Sequence, residues 1–125
     1  MILAHSLNQT FKARAIILAI GKSGNFNRLN IPGENLDKVS NRLIDPNIYK
    51  KKRLLIVGGG DSAVEASISC AQAESDVSLS FRTQRLSKPK KENLDKLKIL
   101  EENKKINLIP SSNVKEIREN EVEFK

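Results

Sequence analysis

The stretch that most constrains this chain is Leu54-Leu-Ile-Val-Gly-Gly-Gly-Asp-Ser-Ala-Val-Glu-Ala66, an apolar run that breaks into three glycines and resumes as small, helix-compatible residues. It reads as a strand, a tight turn and the start of a helix. The spacing Gly58-x-Gly60-x-x-Ala63 gives each position a physical task. Gly58 permits the turn, Gly60 leaves room for a pyrophosphate against bare backbone, and Ala63 lets the helix pack close to the strand. Phosphates placed there meet the unpaired N–H groups and the positive dipole end of a helix starting near Asp61. Gly59, Asp61 and Ser62 belong to the same turn and count with it as candidate cofactor-binding residues.

Context strengthens the pattern. Residues 61–74 read as a helix rich in Ala and Ser, and residues 76–81 alternate polar with apolar, giving a second strand in which Val77, Leu79 and Phe81 share a face. Strand, helix, strand within about 30 residues forms one right-handed unit with parallel strands, and its ligand lies beyond their C-terminal ends. A second helix opens at Lys88-Pro-Lys-Lys91 and runs to about Lys104, with Leu94, Leu97 and Leu100 at helical spacing. Residues 106–109 follow as a third strand, and residues 114–117 and 122–124 flank a polar turn as a hairpin.

The end of the second strand selects the cofactor. A site for NADH offers an Asp or Glu there to the adenosine ribose, about 20 residues past the glycines. This chain offers Ser80, Phe81 and Arg82, with Arg85 and Lys88 beyond, and no acid. Arg82 can hold a 2'-phosphate through charge-assisted hydrogen bonds that a carboxylate would oppose, so NADPH is favoured over NADH, with Lys88 a further candidate contact. Glu65, one turn into the helix, is within reach of the nicotinamide end, although a solvent-facing or capping role fits it equally.

Upstream, residues 1–5 and 12–20 are separated by a polar segment suited to a turn, so the two flanks are expected to be the arms of a hairpin, and Ala15-Ile-Ile-Leu-Ala-Ile20 is a continuous apolar run suited to a strand buried on both faces. Residues 22–34 carry two glycines and a proline without helical or strand period, and read as loop. Residues 35–52 are polar, with a turn at Asp45-Pro46, and read as a linker that ends in three successive lysines.

The bulk properties exclude several other readings. At 125 residues the chain has room for one domain with a modest core. No stretch approaches the roughly 18 apolar residues of a membrane span, and the N-terminus lacks the basic head and apolar segment of a secretory signal. The net charge of +7 comes from lysines scattered among asparagines and glutamates, and the few aromatics do not cluster with basic residues, so a nucleic-acid partner is not expected. Cys70 has no partner thiol and reads as a small packing residue in a reducing, cytoplasmic setting. His5 is the one histidine, and no metal-ligand spacing or catalytic triad is present.

Taken together, Ala15-Ile-Ile-Leu-Ala-Ile-Gly21, Ile31-Pro-Gly-Glu34, Asp45-Pro46 with Tyr49, Val57-Gly-Gly-Gly-Asp-Ser-Ala-Val-Glu65 and Ser80-Phe-Arg82 resemble the pyridine-nucleotide domain of thioredoxin-reductase-like flavoproteins. The resemblance runs from about Lys12 to Lys125. It implies an α/β, Rossmann-like three-layer fold in which a parallel sheet and a β-hairpin or meander follow a partial FAD-domain segment. The implied division is residues 1–34 for the end of that segment, 35–52 for a linker and 53–125 for a C-terminally incomplete NAD(P)H-binding domain. By resemblance, Gly58 to Ala63 and Arg82 bind NADPH and Gly21 lies near the flavin.

Departures from the family pattern narrow the reading. Isoleucine stands at position 20 where the family has threonine, Thr83 stands where a second arginine is usual, and the Cys-x-x-Cys of thioredoxin reductase proper is absent. The chain is thus more similar to relatives without that pair, such as ferredoxin-NADP reductases of the thioredoxin-reductase type. The family's FAD domain also requires a glycine fingerprint and a return segment that these residues do not supply. Hydride can leave NADPH only toward an adjacent acceptor, so the expectation is the NADPH-binding part of a flavin-dependent oxidoreductase, not catalytic alone. FAD would come with the missing domain or a complementary chain, and a homodimer is expected of the full-length enzyme. The rival readings are a non-enzymatic nucleotide-sensing module and a nucleotide-type methyltransferase, the latter opposed by Arg82 where an acid would be wanted.

Overall fold

The computed structural model describes residues 9–19, 30–43 and 45–125. Its centre is a five-stranded parallel sheet. β1 (Thr10–Lys12) lies outside that sheet, whereas β2 (Ala15–Leu18), β3 (Val39–Ser40), β4 (Arg53–Val57), β5 (Asp76–Ser80) and β6 (Ile106–Ile109) build it in the order β3-β2-β4-β5-β6. β4 is the middle strand, with Ile17 opposite Ile56 on one side and Leu79 opposite Ile56 on the other. α1 (Asp61–Gln72) and α2 (Lys91–Glu102) cover one face. The other face carries a three-stranded antiparallel ribbon of β1, β7 (Val114–Ile117) and β8 (Glu121–Phe124), in the order β1-β8-β7. These three layers match the expected α/β architecture.

Side-chain alternation sorts the sheet's residues into two cores. Ile17, Leu54, Ile56, Val77 and Leu79 point toward Ala63, Val64, Ala71 and Leu97 of the helices. Ile16, Leu18, Leu55 and Val57 point toward Phe11, Val114, Ile117, Val122 and Phe124 of the ribbon. A strand covered on both sides is uniformly apolar, which explains the unbroken runs in β2 and β4. β2 is hydrogen-bonded between β3 and β4 and so continues the same sheet as the glycine-bearing strand.

β5 keeps the alternation read in its sequence, with Val77, Leu79 and Phe81 together in the helix-side core, but its other face is buried too. Ser78 and Ser80 are as buried as Val77 and Leu79. The hydroxyls of this face find partners next to the strand: Ser80 Oγ lies 2.6 Å from Ser112 Oγ in the loop after β6, and Ser78 Oγ accepts from Asn107 Nδ2 of β6. Both helices also stop two residues before their expected ends. Glu74 and Lys104 adopt left-handed φ values of 68° and 60°. Ser75 and Lys105 then donate their N–H groups back to Cys70 and Leu100, closing each helix without the glycine that would have announced the stop.

Residues 35–52 contain more than a plain crossing. Val39 and Ser40 form the edge strand, and Pro46–Tyr49 is a 3-10 helix whose Asp45 caps it by accepting the Asn47 N–H at 2.9 Å. Tyr49 is buried beneath α1, and its carbonyl accepts from Ser75 Oγ at 2.8 Å. Upstream, Pro32 accepts the N–H of Ile117, and Gly33 at φ 89° brings its backbone so close to β7 that a Cβ there would lie 1.7 Å from the Ile117 oxygen. That approach fixes the Pro-Gly pair to glycine in this register. The expected arm over residues 1–5, together with His5, lies outside the described residues.

Candidate dinucleotide-binding site

β4 delivers the chain to Gly58 at the C-terminal edge of the parallel sheet. Gly58 has φ 151°, and a Cβ on it would lie 2.2 Å from the Ala19 carbonyl oxygen and 3.0 Å from Ala63 Cβ. This turn requires glycine for space as much as for conformation. Its N–H donates to the Ser80 carbonyl at 2.9 Å, tying the turn to the end of β5. Ala63 is fully buried against the turn, in keeping with its expected packing role.

Gly60 is different. A Cβ there would meet no atom within 4 Å, so the backbone at the head of α1 faces open space. Gly60 is the N-cap of α1 and has no side chain to satisfy the first-turn N–H groups, which have no acceptors within the helix. Open backbone, unsatisfied donors and a helix dipole are what an anionic pyrophosphate needs, and the residues present fit it. Ser62 is exposed beside them.

Arg82, Arg85 and Lys88 occupy the loop beyond β5, at the same edge. All are exposed, and among the described residues none of the three side chains has a hydrogen bond or ion pair. The loop itself is anchored: Ser112 and Ser111 donate their N–H groups to the carbonyls of Phe81 and Thr83, and Thr83 Oγ1 donates to the Arg85 carbonyl at 2.7 Å. The structure thus gathers residues 58–63, Arg82 and Lys88 at one edge. Gly21 lies outside the described residues.

Two acids of the fingerprint helix turn toward α2. Asp61 Oδ1 accepts the Lys90 N–H at 2.8 Å and Asn93 Nδ2 at 2.9 Å, and Asn93 Nδ2 also lies 3.1 Å from Glu65 Oε2. The Lys90 N–H, then the Asn93 amide, hold the Asp61 carboxyl below its ordinary value. Asn93 and Ser112, and with Ser112 the pairing of Ser80, are what reading the sequence missed. Their partners lie some thirty positions away, and no local spacing signals such contacts.

Cys70 is buried within α1, and desolvation pushes its thiol up to about 11, which suits packing and disfavours a thiolate. A separate groove opens at the opposite, N-terminal edge of the sheet among Lys12, Arg14, Lys38, Lys51, Lys52 and Arg53. Lys38 there donates to the carbonyls of Ala13 and Glu119, and burial lowers its ammonium below the usual lysine value against the pull of Glu119. That groove is remote from the glycine turn, and parallel α/β sheets bind nucleotides at the other edge. Among the described residues no helix is long and apolar enough to cross a membrane, and no three His, Cys, Asp or Glu residues form a metal-holding group.

A sequence profile described as pyridine nucleotide-disulphide oxidoreductase matches residues 4–125. The chain belongs to that family. It is 30% identical over 118 residues to the thioredoxin reductase of Bacillus subtilis, covering 90% of this chain and 35% of that one. It is also 28% identical over 89 residues to a ferredoxin-NADP reductase of Ignicoccus hospitalis, covering 71% and 29%. Among solved structures, the bacillithiol disulfide reductase of Bacillus cereus superposes with a TM-score of 0.79 at 28% identity over 89% of this chain and 35% of that one. The thioredoxin reductase of Streptococcus pyogenes gives 0.63 at 33% identity, over 82% and 33%. The chain spans about a third of the length of these relatives. The family and its relatives are oxidoreductases, in agreement with the resemblance read from the sequence.

Proposed function

We propose that this chain is the NADPH-binding part of a flavin-dependent oxidoreductase, one in which hydride passes from NADPH to FAD. The observation that carries the reading is the pairing of an open, uncapped helix head at Gly60 with an unpaired Arg82 at the end of the neighbouring strand. The backbone of residues 58–62 and the dipole of α1 would hold the pyrophosphate. Arg82 would hold the 2'-phosphate, with Lys88 adding charge from the same loop. The bound nicotinamide would supply the hydride, and this chain's residues bind and orient it.

The acceptor belongs to the same proposal. FAD is assigned to sequence that the longer relatives carry, or to a complementary chain, and the 125 residues by themselves are not catalytic. Residues 1–34 are assigned as the end of the flavin-side segment, with Gly21 near the flavin, residues 35–52 as the linker and residues 53–125 as the NADPH-binding unit, into which β1 and β2 of the first segment pair through β8 and β4. The full-length enzyme is assigned as a cytoplasmic homodimer.

Replacing Arg82 tests the cofactor choice. Arg82→Ala is expected to weaken NADPH binding by about 10- to 100-fold, the worth of charge-assisted contacts to one phosphate, and NADH binding by no more than about threefold. Equal losses for the two nucleotides, or none for either, would overturn the assignment.

A further inference from the structure

The Arg82 loop is held at both ends, and one of its anchors comes from the fingerprint itself. At its start, the Phe81 N–H donates to the Ile109 carbonyl and the Phe81 carbonyl accepts from Ser112. At its end, the chain enters α2 through Lys90, the N-cap residue, whose side chain makes no capping bond. The acceptor that α2 lacks is supplied by Asp61 from the first turn of α1, through the Lys90 N–H and the Asn93 amide. A carboxylate at a helix N-terminus satisfies an orphan donor and complements the dipole.

We infer that the Asp61 carboxylate sets the preference for a 2'-phosphate by holding the Arg82 loop, a positioning role in which this side chain is not itself a ligand of the cofactor. The inference rests on the NADPH reading proposed above. Its Oδ1 already serves two donors that belong to α2, and a negative charge aimed at the pyrophosphate would oppose binding. Three unpaired cations on a loop tethered at one end only would have to be ordered on binding, and that cost would fall on the nucleotide with the extra phosphate. A tether at Lys90 removes it in advance. Asp61 thereby links the turn that receives the pyrophosphate to the loop that reads the 2'-position.

Calorimetric titration of the 125-residue chain with NADPH and with NADH tests this through the ratio of the two affinities. Asp61→Ala is expected to lower NADPH affinity by about tenfold and NADH affinity by no more than about threefold, because only the phosphate-reading loop is released. Lys90→Pro removes the accepted N–H while leaving Asp61 in place, and the native φ of −61° suits proline, so it is expected to reproduce the same loss. Lys90→Ala removes the ammonium but keeps the N–H, and is expected to leave the ratio within about twofold of wild type. Retained NADH binding reports that each variant is folded. A wild-type ratio in either Asp61→Ala or Lys90→Pro would overturn the positioning role alone, as would a Lys90→Ala variant that loses the preference as fully as Lys90→Pro. Absence of any NADPH preference in the wild-type chain would instead overturn the cofactor reading beneath it.

Discussion

Gly58 donates its backbone N–H to the carbonyl of Ser80 at 2.9 Å, so the first glycine of the turn is bonded to the strand end that precedes Arg82. Ser80 is in turn paired through its hydroxyl with Ser112 from the loop after β6. The glycine turn, the end of β5 and the exit of β6 are thus joined by backbone and hydroxyl contacts rather than by flexible side chains.

The glycines of that turn are expected to divide into structural and ligand-facing classes. Gly58→Ala places a methyl against the Ala19 carbonyl at a φ hostile to side chains, and should destabilise the fold by about 2–4 kcal/mol. Gly60→Ala meets no atom of the protein and should cost about 1 kcal/mol or less in stability while abolishing NADPH binding. Urea denaturation of both variants, with a binding titration of Gly60→Ala, separates the two effects. Equal destabilisation by the two substitutions would contradict the division.

The buried hydroxyl pair gives a second expectation. Ser112 Oγ lies 2.7 Å from the Ile109 carbonyl, to which it donates, which leaves Ser80 to donate to Ser112. Ser112→Ala strands the Ser80 hydroxyl in the core and should cost about 1–3 kcal/mol. Ser80→Ala,Ser112→Ala together should cost clearly less than the sum of the two single changes, since both halves of the pair are then gone. A strictly additive double-mutant cycle by urea denaturation would rule the coupling out.

Much of this was legible in the sequence because its signals are local. Three glycines after an apolar run fix a turn, and uniform apolarity in residues 15–18 and 54–57 marks strands covered on both faces. Composition could not locate the helix ends, because Glu74 and Lys104 take left-handed conformations that sequence assigns to Gly or Asn. Alternation put Val77, Leu79 and Phe81 on one face of β5 but did not show that Ser78 and Ser80 on the other are buried with partners from elsewhere in the chain. The Asp61–Asn93 clamp has the same character. Asp61 looks like a phosphate-loop residue in one dimension, and its engagement with α2 exists only once two helices lie side by side.

Acid should release that clamp. Asp61 titrates below its ordinary value of 3.8 in the folded chain because the Lys90 N–H and the Asn93 amide favour the carboxylate. Its contribution is therefore complete above that ordinary value and is lost as pH falls through the lower folded one. The stability difference between wild type and Asp61→Asn, followed by urea denaturation, should be constant from pH 7 to about 5 and shrink below about pH 4. A difference that grows on acidification would have the wrong sign for a carboxylate stabilised by donors.

On the function proposed above, the turn at Gly58 and the cation at Arg82 together form a site for NADPH. Thermal unfolding of the 125-residue chain with NADPH, with NADH and without nucleotide tests it most directly. Ligand at about 100 times its dissociation constant stabilises the folded state by about 2.7 kcal/mol, a rise in Tm of roughly 10 °C for a domain of this size. NADPH is expected to give such a rise at concentrations where NADH gives less. An unchanged Tm with NADPH, or a larger rise with NADH, would contradict an NADPH site at Gly58 and Arg82.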